Sequence, residues 1–142
     1  MQIRPIHEED AVDVAMLAKQ LGYNPTAQTV LPNIHAILEN PAHQAFVYLN
    51  EQEQIVGWVH VFVALRLGSL PFAEISGMVV DQDSQNQGIG RALVKQCRHW
   101  ATSRGVGEIR VRCDSTREQA NQFYQHIKFK QRKTQRVFVR DL

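Results

Sequence analysis

The spacing of apolar residues in the first third of the chain is that of amphipathic helices. After a short strand pattern at residues 2–6, apolar side chains recur every three or four residues, which predicts one helix over residues 8–21 and another over residues 26–39. Acidic residues fill the first turn of the first helix, and Gly22 follows its end. Pro32 lies inside the second pattern and predicts a kink or a later start.

From residue 43 the period changes to that of β-strands. Residues 45–49 and 54–67 are predicted to form an antiparallel hairpin around a polar turn, and residues 72–80 a third strand. A helix over residues 88–104 and a strand over residues 108–113 follow. The chain therefore passes from a strand through a helix into another strand, which predicts one parallel strand pair in a sheet that is otherwise antiparallel.

The last part of the chain is predicted as a helix followed by two strands. Ser115, Thr116, Arg117 and Glu118 have the residue types of a capping box, which predicts a helix starting there. Residues 129–142 are predicted as two short strands around a basic turn. The complete order is βααβββαβαββ, which predicts an α+β fold of three layers, α/β/α, with a mostly antiparallel mixed sheet and a central parallel pair.

Length and composition restrict the class of protein. The 142 residues are 44% hydrophobic and contain neither a repeat nor a linker, so we expect a single domain over residues 1–142. Two cysteines cannot form a disulfide framework, which favours a reducing, cytoplasmic location. The longest apolar stretch is too short and too interrupted to span a bilayer, and no signal peptide pattern is present, so no membrane association is expected.

The charges are divided unevenly along the chain. Residues 1–80 carry 3 basic and 8 acidic side chains, a net charge of −5, and residues 81–142 carry 13 basic and 6 acidic side chains, a net charge of +7. An anionic ligand on the second part and a cationic one near the first part would explain this division, and so would two differently solvated faces. No nucleic-acid-binding motif accompanies the basic residues, so no nucleic acid is expected as a partner.

The segment 79–92, which begins at the end of the predicted strand over residues 72–80, has the pattern of a phosphate-binding loop. A polar segment leads into Gly88 and Gly90 at the start of a helix, where backbone N–H groups lack helical partners and the helix dipole favours an anion. Arg91 adds a positive charge in the first turn, where a purely structural helix prefers an acid. The same glycines also occur at helix starts that bind no ligand.

Two known phosphate-binding motifs do not match. A P-loop requires a Gly-Lys-Ser/Thr ending that the chain lacks, and a dinucleotide fingerprint requires a third glycine where Leu93 stands. The segment Gln85-x-x-Gly88-x-Gly90 resembles the Gln/Arg-x-x-Gly-x-Gly/Ala signature of the GNAT acetyltransferase superfamily.

Three further features resemble landmarks of that family, in the family's order. They are Gly57-Trp58, the segment 74–81 that leads into the signature, and Ala120-x-x-Phe123-Tyr124. The chain departs from the family pattern at Lys128, where a glycine is usual, and at Arg117, where many members carry asparagine.

The resemblance implies the GNAT fold and acetyl-CoA as cosubstrate, without a metal ion. The pantetheine arm would pair with the backbone of the strand before the loop, and the pyrophosphate would lie on backbone donors of the loop. The implied acetyl-CoA-binding residues are Met78, Val79, Val80, Gln85, Asn86, Gln87, Gly88, Ile89, Gly90, Arg91, Arg117 and Asn121. A backbone N–H near Val79 or Val80 would stabilise the oxyanion.

Two side chains are candidates for proton transfer. A lysine-like amine with a pKa of ~10.4 is neutral in only about one molecule in 2,500 at pH 7, so a base would speed its reaction. Glu74 is the acidic residue of the core strands and shares a strand face with Ser76 and Met78; it is a candidate base, acting directly or through water, or an ordinary salt-bridge partner. The resemblance assigns Tyr124 as the acid that protonates the leaving thiolate.

The sequence thus predicts an enzyme that transfers an acetyl group to a primary amine of a small molecule, such as an aminoglycoside, polyamine or amino acid, in a ternary complex. The alternatives are a non-catalytic acyl-CoA-binding or regulatory module and a protein N-terminal or lysine acetyltransferase. His60 is a candidate for lining the acceptor cleft or for a structural role, and the six histidines show no metal-ligand spacing. The two predicted strands at the end of the chain are also a candidate surface for a homodimer.

Overall fold

Five strands form one sheet in the order β1-β2-β3-β4-β5 in the computed structural model, which describes residues 2–142. The first three pairs are antiparallel, and β4 and β5 are parallel. The strands are β1 (Gln2–Pro5), β2 (His43–Leu49), β3 (Ile55–Ala64), β4 (Phe72–Val80) and β5 (Ile109–Val111). The predicted mixed sheet and its parallel pair are therefore confirmed.

Four helices accompany the sheet, close to the predicted positions. They are α1 (Ala11–Ala18), α2 (Ala27–Glu39), α3 (Ile89–Ser103) and α4 (Glu118–His126), and single 3-10 turns extend α1 at both ends. Thr26 caps α2 by accepting a hydrogen bond from the Thr29 N–H, and Pro32 lies inside this helix.

The sheet is covered on both faces within residues 2–111, which form one compact unit of the chain. Residues of α1 and α2 pack in one buried cluster with Ala45 and Val47 of β2, and Trp58 of β3 packs against that cluster. The neighbouring residue Gly57 points to the opposite face, where α3 lies: a β-carbon at Gly57 would stand 3.2 Å from Ile89 Cγ2 and 3.3 Å from Leu93 Cδ1. Glycine at this position therefore lets α3 approach the sheet closely, and the predicted α/β/α layering is observed.

A buried ion pair fastens β1 to the chain that follows it. Two guanidinium N–H groups of Arg4 donate to the Asp10 carboxylate at 2.8 and 2.9 Å, and the His7 backbone N–H donates to it at 2.8 Å. Burial by itself would raise the pKa of Asp10, but these hydrogen bonds outweigh it and hold the pKa below its ordinary value. Asp10 is 5% exposed, so the carboxylate is buried with its charge compensated.

The second compact unit runs from Arg112 to Leu142 and contains α4. The predicted capping box is wrong: α4 begins at Glu118, and the Asp114 carboxylate instead accepts hydrogen bonds from the backbone N–H and hydroxyl of Thr116. Within the described chain, residues 127–142 contain neither helix nor strand, so the two final strands of the predicted order are wrong. A strand needs a partner for its backbone groups, whereas this basic segment is almost entirely exposed.

Without those final strands, β5 is the last strand of the sheet order, so the parallel pair lies at an edge and not in the centre. Of the helices within residues 2–142, none combines the length and the hydrophobicity needed to cross a membrane.

Candidate active site

The second half of β4 extends beyond its parallel neighbour. β5 pairs only with Ala73, Glu74 and Ile75, so residues 76–80 continue past the end of β5, and residues 77–80 still pair with β3 on the other side. A strand edge of this kind offers backbone N–H and C=O groups to an extended ligand. Met78 and Val80 are half-buried there, and Val79 is buried.

A tryptophan next to this edge has an unused donor. Trp58 lies opposite Val79 in the β3–β4 ladder, and its ring leaves only 3.3 Å for a β-carbon at Gly77. The Trp58 indole Nε1 is buried and has no hydrogen-bond partner among residues 2–142. Because a buried donor normally has an acceptor, this side of the strand fits a ligand that carries amide carbonyl groups.

The loop that follows β4 is held in place by side chains before its helix starts. The Gln20 amide accepts a hydrogen bond from the Gln82 backbone N–H at 3.0 Å and donates to the Asp81 carboxylate at 3.1 Å. The Gln85 amide donates to the Val80 carbonyl at 2.9 Å. The signature glutamine therefore braces the loop against the strand edge through its side chain.

Backbone conformation shapes the loop into a cradle for an anion. Asn86 and Gly88 both have left-handed backbone, with φ of 63° and 78°, and Gly88 is the N-terminal cap of α3. Left-handed residues next to helical ones turn successive N–H groups toward one side, and the first N–H groups of α3 lack helical partners. Residues 85–88 and Arg91 are exposed, while Ile89 is buried and anchors the helix start. The cradle is thus open to solvent and fits a phosphate group.

Glu74 and Ser76 differ in exposure although they stand on one strand face. Glu74 is only 7% exposed, and it lies opposite Phe62 of β3 and beside Arg110 of β5. Arg110 itself pairs with Glu108, with 2.6 Å between Nε and Oε1. Ser76, two residues further along β4, is exposed. Of these two polar residues of β4, the serine is therefore the one that is exposed to solvent.

Ser76 is the first member of a hydrogen-bonded row. Its Oγ lies 2.6 Å from His60 Nδ1, and His60 Nε2 lies 2.9 Å from His43 Nδ1. Burial, together with the nearby His43, lowers the pKa of His60 to about 4, so His60 is neutral near pH 7. Sequence reasoning considered His60 alone and missed both of its partners, because their proximity depends on the register of three strands.

The remaining predicted site residues lie in the second unit. The Asn121 side-chain amide donates to the carbonyls of Asp114 and Arg117, at 3.0 and 2.7 Å, and so ties the start of α4 to the preceding turn. Arg117 is exposed. Tyr124 is half-buried, and its ring makes edge contacts with Phe123 and Phe129 at 5.1 and 5.6 Å between centroids.

A left-handed residue follows α4 at the place where the family pattern has glycine. Lys128 has a φ of 80°, and the next N–H, that of Phe129, donates to the Tyr124 carbonyl at 2.9 Å. The conformation that glycine would adopt easily is therefore kept by a lysine.

The fold and the loop together define a protein suited to an extended ligand that carries phosphate groups. The chain belongs to the acetyltransferase (GNAT) family, whose family model matches residues 9–129. This confirms the resemblance seen in the sequence and makes the protein an N-acetyltransferase by class. Comparison with curated protein sequences gave no match.

Many solved structures share the fold, of which three are informative. The aminoglycoside 6'-N-acetyltransferase AAC(6')-IG from Acinetobacter haemolyticus has a TM-score of 0.85 at 16% identity, over 100% of this chain and 99% of that one. AAC(6')-Iy bound to the bisubstrate analogue CoA-S-monomethyl-acetylneamine has a TM-score of 0.85 at 18% identity, over 99% and 97% of the chains. A transcriptional regulator from Bacillus halodurans C-125 has a TM-score of 0.82 at 23% identity, over 96% and 99%. At these identities the likeness concerns the fold.

Proposed function

We propose that the protein transfers an acetyl group from acetyl-CoA to a primary amine of a small molecule. The observation that carries this proposal is the continuity of two features: the edge of β4 at residues 76–80 leads directly into the cradle formed by Asn86 and Gly88. An extended pantetheine arm fits the strand edge, and a pyrophosphate fits the cradle at the start of α3. The crystal structure of AAC(6')-Iy with CoA, which has the same fold, supports this choice of ligand.

The reaction that fits this site is direct transfer within a ternary complex. Acetyl-CoA supplies a thioester carbonyl for attack by the amine, and a backbone N–H near Val79 or Val80 is the proposed donor to the oxyanion. Tyr124 is proposed, from the family pattern, to give a proton to the thiolate. Glu74 is the proposed carboxylate that attracts the amine and takes its proton, and because it is only 7% exposed we expect a water molecule between them.

A cationic acceptor with several amines is favoured by the charges of the chain. Residues 1–80, which include Glu74, carry 8 acidic and 3 basic side chains, whereas the segment with the cradle and α3 lies in the basic part. Two of the similar structures are named as aminoglycoside acetyltransferases, which supports testing this class first.

A thiol-release assay tests the proposal. The purified chain is titrated with CoA and acetyl-CoA by calorimetry and then assayed with aminoglycosides, polyamines, amino acids and peptides that carry a free N-terminus or lysine. We expect binding of both CoA forms and release of one thiol per acetylated amine of a small molecule. Binding without turnover on any amine would identify a regulatory acyl-CoA-binding module, a reading that the similar fold of a transcriptional regulator makes worth testing. Turnover on the peptides alone would identify a protein acetyltransferase.

The remaining predictions about the whole chain are part of the same proposal. We propose that residues 1–142 act as one catalytic domain, because the family match at residues 9–129 includes parts of both compact units. A homodimer through residues 129–142 is consistent with the exposure of Val137, Phe138 and Val139, each 87% exposed. Light scattering of the purified chain measures its oligomeric state. The cytoplasmic location stays a prediction from the cysteine content.

A further inference from the structure

A row of three polar side chains crosses three neighbouring strands of the sheet. Ser76 stands on β4, His60 on β3 and His43 on β2, with heavy-atom distances of 2.6 Å and 2.9 Å between successive members. Both distances lie in the range of good hydrogen bonds. Ser76 is exposed, and the two histidines are half-buried. The row is therefore a continuous hydrogen-bonded connection that starts at a hydroxyl group in contact with solvent.

The strand register builds this row. In the β3–β4 ladder, His60 pairs with Gly77 and Val61 pairs with Ile75, so Ser76 is the extra residue of a β-bulge. A bulge redirects a side chain out of the regular alternation, and here it brings the Ser76 hydroxyl to the His60 ring. On the other side, the His43 ring stacks on Phe62 at 5.2 Å between centroids and an interplanar angle of 13°, which holds it beside His60.

His60, the middle member of the row, is neutral under the conditions in which amines react. Burial and the adjacent His43 lower the pKa of His60 to about 4. Glu74, across the ladder from Phe62, is the acidic residue of β2, β3 and β4, and it has an interaction of its own. A neutral imidazole donates at one nitrogen and accepts at the other, so both hydrogen bonds of the row point in one direction at a time. Such a row transfers a proton along its length and does not store one.

We propose that the Ser76–His60–His43 row carries away a proton that the acceptor amine loses, and this inference rests on the acetyltransferase function proposed above. The amine proton passes to Ser76 Oγ while the serine proton passes to His60 Nδ1. The proton on His60 Nε2 then passes to His43 Nδ1, and His43 releases its other ring proton to water. The proton enters at an exposed hydroxyl, two residues before the proposed thioester-binding segment at Met78.

The chemistry balances over one turnover. The C–N bond forms and the C–S bond breaks. Of the two protons that the ammonium group loses, one reaches solvent through the row. The other is taken by Glu74 through water, and its equivalent ends on the CoA thiol through Tyr124. The transfer leaves the row with its hydrogen bonds reversed. The starting direction is restored after product release, when Ser76 gives a proton to water and His43 takes one from solvent.

Two variants and one control test the row at a fixed pH of 7. Ser76→Ala removes the entry group, and His60→Gln keeps a donor and an acceptor but cannot relay a proton by exchanging tautomers. His99→Gln is the matched control, because His99 is an exposed histidine of α3 outside the row. Each variant is assayed with a series of acceptor amines of similar size whose pKa values range from about 7 to about 10.

We expect both row variants to lower kcat by roughly 10- to 100-fold for amines of high pKa, with the KM for acetyl-CoA changed less than about threefold. For amines with a pKa near 7 the loss shrinks to less than about threefold, because about half of such an amine is already neutral at pH 7. The proton inventory in H2O and D2O mixtures should be curved for the wild type and linear for Ser76→Ala. The control should match the wild type throughout.

Several results would overturn the row as a proton path. A kcat loss that is equal for all amines would mean that the row has only a structural role. An unchanged kcat in Ser76→Ala would exclude the row as a proton path. In both cases turnover by the wild type would leave the proposed function intact. If Glu74→Gln alone abolished the dependence on amine pKa, the proton would leave through Glu74. Absence of wild-type turnover on every amine would remove both proposals. Nitrogen NMR of the imidazole rings gives an independent check: a His60 that titrates near pH 6.5 contradicts a neutral row.

Discussion

Two polar clusters of the first unit differ in how they end. The Asp10 carboxylate accepts two hydrogen bonds from Arg4 and one from the His7 backbone, and Asp10 is buried at 5% exposure. The histidine row has hydrogen bonds of similar length, but it ends at Ser76, which is exposed to solvent. A cluster whose members are all partnered inside the protein stabilises the fold. A cluster with an exposed end can also exchange protons with a ligand.

The largest expected change in stability is at the cluster of Asp10, Arg4 and the His7 backbone, called here the closed cluster because all its members are partnered inside the protein. Asp10→Asn leaves the Arg4 guanidinium, whose side chain is 22% exposed, without its charge partner, and we expect a loss of about 3 kcal/mol in the free energy of unfolding. Urea denaturation measures this loss, and kcat per folded molecule should not change. Ser76→Ala, in contrast, should change the free energy of unfolding by less than about 1 kcal/mol, because its side chain is exposed. If the two variants were equally destabilised, the distinction between the clusters would be wrong.

The Asp10 ion pair should appear as a difference in the pH dependence of stability between the wild type and Asp10→Asn. The lowered pKa of His60 also makes stability fall with pH, but equally in both chains. The pKa of Asp10 is lower in the folded than in the unfolded chain, so the ion pair contributes its full stability above the unfolded value of about 3.9 and loses it as the pH falls through the folded value. Urea midpoints measured from pH 6 to pH 2 should therefore fall more steeply for the wild type than for Asp10→Asn. Parallel curves would show that Asp10 does not contribute through its charge.

The loop after β4 contrasts with both clusters because its backbone, and not its side chains, forms the proposed phosphate cradle. Gly88→Ala places a side chain on a left-handed residue, which costs about 1–2 kcal/mol, and in an exposed loop the chain relaxes and must be reordered by the ligand. We expect the Kd for CoA to rise by roughly 5- to 30-fold with little effect on kcat at saturation. Gly105→Ala is the matched control: its φ is also 78°, at the other end of α3, and it should lower stability without changing the Kd. An equal Kd in both variants would argue against the cradle.

The smallest expected effect concerns the departure from the family pattern. Lys128 has a left-handed backbone with a φ of 80°, so Lys128→Gly should relieve strain and raise the free energy of unfolding by about 0.5–1 kcal/mol, net of the greater flexibility of glycine in the unfolded chain. Thermal denaturation measures the shift. Lys130→Gly, at a nearby residue outside the left-handed region, should instead be neutral or destabilising. A destabilised Lys128→Gly would show that the lysine side chain makes a contact worth more than the strain.

The local features of this protein could be predicted from its sequence. The helix over residues 89–103, predicted over 88–104, follows from the apolar spacing within one segment. Five strands and their pairing directions were predicted for the same reason. The capping box at Ser115 failed because Asp114 and Thr116 form a turn there, and the helix begins later, at Glu118 with Arg117 as its N-terminal cap. The last two strands failed because apolar alternation predicts a strand only where a neighbouring strand is available.

The sequence by itself determined the four helices, the five strands of the sheet and the family, and it indicated the loop proposed to bind an anion, because these depend on residues close together in the chain. The tertiary structure alone decided which polar groups meet. Ser76, His60 and His43 are separated by 16 and 17 residues, and only the register of three strands and one bulge brings them into hydrogen-bond distance. The same packing buries Glu74 and exposes Ser76 on one strand face, a difference that alternation along the strand cannot predict.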